Sequence, residues 1–248
     1  MSSVEKVKKK HSRLTWIVGG VCAFVVLAAV VVFGGAFIYI HFIEGPAPKP
    51  LTLPKTTTPK PSSNSPTTPA ASPTGGWKAT SSSVVGYRVN EVLAGQNNVA
   101  VGRTHSVSGS ITVNGVHVDT ASFTVQMSTV HSDQSQRDNQ FDGRIMNVSQ
   151  YPTATFTLTS PITLSATPTV DTTVHASATG QLMLHGQTHT VTFPVSAEYT
   201  GSSIDITGSI PITFADYGIS NPSFGSFVTT DNHGILEFLL TMERSPAS

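Results

Sequence analysis

The stretch TGQLMLHGQTHTVTFPVSAEY, residues 179–199, decides the fold class. Leu182 and Leu184 lead into a turn at His185 and Gly186, and Val191, Phe193, Val195, Ala197 and Tyr199 then recur at every second position. A period of two is that of a strand with one apolar and one wet face. Working outward, the same alternation appears at Val85, Tyr87 and Val89, at Val107, Ile111 and Val113 around Gly109, and at Phe123, Val125 and Met127. It returns at Phe156 and Leu158 between Thr155, Thr157 and Thr159, at Ile204, Ile206, Ile210, Ile212 and Phe214, and at Leu236, Phe238, Leu240 and Met242. The chain therefore reads as all-β, with about eight strands. Strands with one solvated face pair antiparallel, and a sandwich and a barrel both close such a set. Closed as a barrel, eight strands leave an interior that side chains just fill or that holds one small ligand.

One segment breaks the period. Residues 132–147 read as a short helix, with Asp133 as its cap, Gln136 at the capping-box position, an i,i+4 pair between Asp133 and Arg137, and Phe141 and Ile145 on one face. So narrow an apolar stripe needs a sheet or the open end of a barrel to lie on.

The remainder divides by composition. Residues 1–13 carry Lys6, Lys8, Lys9, Lys10 and Arg13 against Glu5, and residues 14–43 contain no charged side chain. Roughly 20 apolar residues cross a bilayer, so residues 14–43 are expected to form an uncleaved transmembrane signal anchor, with Trp16 and Tyr39 near its ends. The basic cluster before the span places the N-terminus in the cytoplasm and everything after it outside, in a single-pass cell-membrane protein. Residues 44–76 hold 9 of the 16 prolines among Thr, Ser, Lys and Ala. This composition predicts a disordered linker reaching up to about 100 Å if fully extended, with O-glycosylation left open. Residues 77–248 form the β domain.

Charge excludes one class of function. The chain has 14 basic and 14 acidic residues, but the segment from Trp77 onward has 6 basic against 12 acidic, which disfavours polyanions such as nucleic acid. The single cysteine, Cys22, excludes an intramolecular disulfide and a thiolate metal cluster.

Three groups of residues resemble the YceI-like family. The first runs Arg137, Asp138, Asn139, Gln140, Phe141 and ends in Tyr151, Pro152, Thr153, Ala154, Thr155, Phe156. The second is Gly180 to Thr188, continued by Val191, Phe193, Pro194 and Val195; the third is Asp216, Tyr217, Gly218, Ile219, followed by the final strand. In order, they cover nearly all of residues 83–243. The resemblance implies a lipocalin-like, eight-stranded antiparallel barrel whose apolar cavity binds polyisoprenoid-type or other long-chain lipids outside the cytoplasm. It also implies departures: family members usually carry histidine at the position of Gln140, an aromatic-rich acidic stretch at Ile145, Met146 and Asn147, and often a basic residue at Phe214.

A chain lipid needs apolar walls rather than directional chemistry, since each methylene removed from water gains roughly 0.8 kcal/mol. The residues expected to line such a cavity are Phe123, Val125, Met127, Phe141, Ile145, Phe156, Leu158, Leu182, Leu184, Phe193, Phe214 and Phe238. For each of them ordinary core packing is the competing reading. Arg137 and Asp138 are expected to tie the helix to the barrel rim, with contact to a head group as the alternative, and Asp216 reads as turn chemistry. The domain's seven histidines show no zinc-motif spacing, and no G-x-S-x-G elbow is present, so neither a metal, nor a cofactor, nor catalysis is expected. The expected role is a membrane-tethered extracytoplasmic protein holding an isoprenoid or similar lipid, with a second copy of the chain left open as a partner. The alternative is a stalked structural or adhesion domain without a ligand.

Overall fold

The computed structural model describes residues 13–38, 46–54, 72–93, 95–225 and 228–246. The basic tail 1–12, residues 39–45 with Tyr39, and residues 55–71 of the linker lie outside these. Helix α1 runs Arg13–Ile38, 26 residues. Its side chains are described for part of that length, and over those described residues no helix is long and apolar enough to cross a membrane.

The β domain contains β1 (Gly75–Ala79), β2 (Val84–Leu93), β3 (Gln96–Thr104), β4 (Val107–Asn114), β5 (His117–Gln126), β6 (Thr153–Leu158), β7 (Ile162–Thr163), β8 (Thr173–Leu184), β9 (Gln187–Tyr199), β10 (Ser203–Thr213), β11 (Val228–Thr230) and β12 (His233–Arg244). All pairings between these strands are antiparallel. β12 pairs with β10 on one edge; its other edge is shared by β2, from Ile235↔Arg88 to Leu239↔Val84, and β1, from Ala79↔Met242 to Trp77↔Arg244. β1 continues to β4 and β2 to β3, so β1 with β2, and β3 with β4, act as two long strands broken by short irregular steps. The ring then runs β5, β6, β8, β9, β10 and returns to β12. Eight strand positions close a barrel, which decides between the two architectures the alternation left open.

The eight apolar series fall on β2, β4, β5, β6, β8, β9, β10 and β12. β3 escapes the pattern because both its faces are covered: Ala100 and Val101 are each 6% exposed, and the chain at His131 bridges Arg103 on its free edge. Two residues read as strand are in single 3-10 turns instead, Met127 in Met127–Thr129 and Phe214 in Phe214–Tyr217. The hairpin at His185 and Gly186 is as expected, with Leu184 opposite Gln187 and φ of 50° and 76° at its two turn residues. His185 tolerates this backbone because its Nδ1 donates to the Tyr217 carbonyl at 3.0 Å and its ring meets Tyr151.

The helix differs from its expected form. α2 spans only Ser135–Gln140 and runs into a π-helical turn, Phe141–Ile145. Asp133 does not cap it: Gln134 occupies the cap position and makes no side-chain cap bond. Asp133 instead pairs with Arg137, as its spacing suggested. The wider turn sets Phe141 and Met146, 7% and 5% exposed, into the same core.

Two described parts of the linker, residues 46–54 and 72–76, are ordered against the barrel, which composition does not suggest. Residues 46–54 lie against the outer barrel wall, where Arg88 and Arg103 donate to the carbonyls of Pro48 and Lys49. Gly75 and Gly76 already pair with Val113 and Thr112, so the barrel begins before Trp77. Arg244 holds the approach to β1 by donating to the Ser72 and Thr74 carbonyls while lying over the Trp77 ring.

Candidate ligand cavity

The barrel encloses a cavity of about 1040 Å³. All twelve residues expected to line it do so: Phe123 and Val125 from β5, Met127 beyond it, Phe141 and Ile145 from the π turn, Phe156 and Leu158 from β6, Leu182 and Leu184 from β8, Phe193 from β9, Phe214 after β10, and Phe238 from β12. A run of strand-borne aromatics would ordinarily fill an eight-stranded interior. Here glycines prevent it. Phe238 lies opposite Gly208 and Phe123 opposite Gly109 on the same face of adjoining strands, and Phe156 lies diagonal to Gly180. A Cβ at Gly208 would stand 2.6 Å from Phe238 Cζ, and one at Gly180 2.5 Å from Phe156 Cζ. The rings lie down over the bare backbone and line the wall instead of crossing the lumen. Tyr87 does the same over Gly102.

Polar lining gathers at one end. Glu91, Gln134, Gln136, Arg137, Gln140 and Arg144 border the cavity beside α2 and the π turn, facing Pro222, Phe224, Val228 and Thr230 across it. Arg137 donates to Glu91 Oε1 on β2 at 3.2 Å as well as pairing with Asp133. Asp138 accepts from the Ser132 amide and hydroxyl at 2.8 and 2.7 Å. Arg137 thus ties the helix to the barrel rim, whereas Asp138 bonds Ser132 in the helix's own approach. Arg144 spans the opening: its Nη2 donates to the Pro222 carbonyl at 2.9 Å and its Nε to Gln140 Oε1 at 3.0 Å. Phe141 is held by stacking on Tyr87, with ring centroids 5.2 Å apart and planes at 10°. Burial raises the Tyr87 phenol well above the usual tyrosine range, so it stays neutral at this wall.

The sequence pointed to Arg137 at this rim but left Arg144 and the polar role of Gln136 and Gln140 unassigned. Their signal was present in the spacing of four between Gln136, Gln140 and Arg144, which puts them on one helical stripe. The histidines are structural where they meet the fold: His189 Nε2 donates to the Asp216 carbonyl at 2.7 Å, which with His185 fixes the turn at Asp216, Tyr217 and Gly218. Among the described residues no group of three or more His, Cys, Asp or Glu side chains is placed to hold a metal ion.

A closed antiparallel barrel around one apolar cavity, rimmed by a short helix, defines a class of binding fold. The model of the YceI-like domain matches residues 78–241, and the chain belongs to that family. A polyisoprenoid-binding domain from Saccharophagus degradans, implicated in plant cell wall breakdown, superposes with a TM-score of 0.56 at 15% identity, covering 69% of this chain and 99% of that one. BcnA of Burkholderia cenocepacia gives 0.47 at 20% identity, over 62% and 95% of the two chains. A YceI protein of Campylobacter jejuni gives 0.46 at 14%, over 56% and 81%. No curated protein matches the chain by sequence.

Proposed function

We propose that the protein is a membrane-tethered, extracytoplasmic lipid-binding protein without catalytic activity, holding a long-chain isoprenoid or similar lipid in its barrel. The cavity carries this reading. Its 1040 Å³ lies just above the roughly 300–1,000 Å³ usual for ligand sites, and its walls are predominantly apolar, with polar side chains gathered mainly at the α2 rim. A ten-carbon tail buried there gains on the order of 8 kcal/mol before ordering costs, so affinity needs no charged anchor. With Phe214 where relatives often carry a basic residue, a neutral or weakly polar head group beside Gln136 and Gln140 fits best. The alternative of a fully packed β domain predicts no such cavity.

Tethering is supported by the charge-free, apolar run of residues 14–43 behind a basic cluster, within which α1 exposes Phe24, Leu27 and Val31 at 72%, 64% and 65%. Organic extraction of protein purified from its native host, followed by mass spectrometry, is expected to yield a long-chain lipid near one per chain. Protein with no extractable lipid, and no uptake of added long-chain lipid, refutes the binding reading; failure of the full chain to float with liposomes refutes the tether.

A further inference from the structure

Glu237 is 5% exposed although it faces away from the lumen, alternating with the core residues Leu236 and Phe238 on β12. An outward carboxylate is ordinarily hydrated. This one is covered by two arginines and by the chain's own linker. Arg103 donates to Glu237 Oε1 through Nη2 at 2.7 Å and through Nε at 3.1 Å, and Arg88 Nε approaches Oε2 at 3.6 Å. Arg103 reaches it across Gly86, which stands between the two in register and where a Cβ would lie 2.8 Å from the Arg103 Cγ. Two cations around one carboxylate leave guanidinium donors to spare, and these point to the linker: Arg88 Nη2 donates to the Pro48 carbonyl and Arg103 Nη2 to the Lys49 carbonyl, both at 2.5 Å. The Thr207 hydroxyl is shared between the Phe238 carbonyl at 2.9 Å and the Leu51 carbonyl at 3.1 Å, and the Leu51 amide donates to Glu237 Oε2 at 3.3 Å.

The pattern of donors and acceptors is selective. Pro48 and Pro50 have no N–H, so the segment Pro48-Lys49-Pro50-Leu51 presents four carbonyls but only two amides. The wall offers three donors for carbonyls and one carboxylate oxygen for an amide. It spends two of the barrel's 6 basic residues on this. An ordinary strand, with a donor at every residue, would leave buried amides unmatched there. Proline also holds the segment extended beforehand, which lowers the ordering cost of docking.

We propose that Arg88, Arg103, Glu237 and Thr207 form a binding site for an extended proline-rich peptide on the outside of the barrel, occupied in cis by residues 46–54. The site rests on the barrel wall and the linker, independently of the lipid reading. The test uses the full chain in detergent micelles, carrying Cys22→Ser and a nitroxide on Thr52→Cys. An immobilised line shape is expected for this parent, and a fast-tumbling one after Leu51→Pro, which removes the amide without touching the barrel. A fluorescent peptide of residues 46–54 is expected to bind the opened Leu51→Pro chain saturably, and about tenfold more weakly when its leucine corresponding to Leu51 is N-methylated. A fast-tumbling label in the parent, an unchanged line shape after Leu51→Pro, or no peptide binding by the opened chain overturns the proposal.

Discussion

Phe238 owes its position on the cavity wall to an atom that is absent from Gly208. Gly208→Ala places a methyl within 2.6 Å of the ring, and the ring is easier to move than the Pro194 carbonyl 3.0 Å away on the other side. The ring is therefore expected to swing into the lumen. Lipid uptake, followed with a fluorescent long-chain probe, should fall, while urea denaturation should show a loss of about 1–3 kcal/mol from overpacking. Retained uptake with Gly208→Ala would mean that the aromatic walls do not set the cavity's width. Two phenols impose a pH limit as well. Burial raises Tyr87, and burial followed by the Asp216 charge raises Tyr217. The folded barrel keeps both neutral, whereas the unfolded chain ionises them near pH 10. Their contribution is thus complete below about pH 10 and is lost as pH rises toward the folded values, at most about 1.4 kcal/mol per pH unit for each phenol. Denaturation midpoints measured from pH 8 to 11 should decline above 10, and Tyr87→Phe should flatten the decline.

At the scale of elements, α2 and its π turn form a cover whose two attachments differ in kind. On the β2 side Arg137 bonds Glu91, with 18% and 10% of their side chains exposed, and Phe141 stacks on Tyr87. On the other side, among the described residues, one bond from Arg144 to the Pro222 carbonyl crosses the opening. The first behaves as a hinge and the second as a latch. Arg144→Ala is expected to cost about 1 kcal/mol of closure, which raises the rate of probe release about fivefold in stopped-flow displacement and leaves thermal stability nearly unchanged. Equal release rates would place the exit elsewhere. Much of this cover was legible in the sequence. The break in alternation marked it, and the spacing of Asp133 and Arg137 gave their pair. The cap was not legible, because Ser132 and Asp138 satisfy one another and leave Gln134 to begin the helix. Nor was the π turn, which depends on Phe141 and Met146 both finding room in a core built by distant strands.

At the scale of the molecule, the strands that wet one face were readable because each carries its own period of two. β3 was not, since its adjacent residues Ala100 and Val101, on opposite faces, are both buried and remove the contrast. Pattern alone did not choose barrel over sandwich: closure depends on β12 offering one edge to both β1 and β2, a long-range pairing that no local window contains. All twelve proposed lining residues were found from periodicity and resemblance together, but the glycines that keep the lumen open around them were seen only as interruptions. Composition was least informative in the linker. Proline density marks a segment that cannot build a core of its own, yet it says nothing about a donor-rich wall waiting elsewhere in the chain. That docking changes the molecule's reach. With residues 46–54 seated, only residues 39–45 separate α1 from the barrel wall, a leash of about 25 Å at full stretch in place of one several times longer.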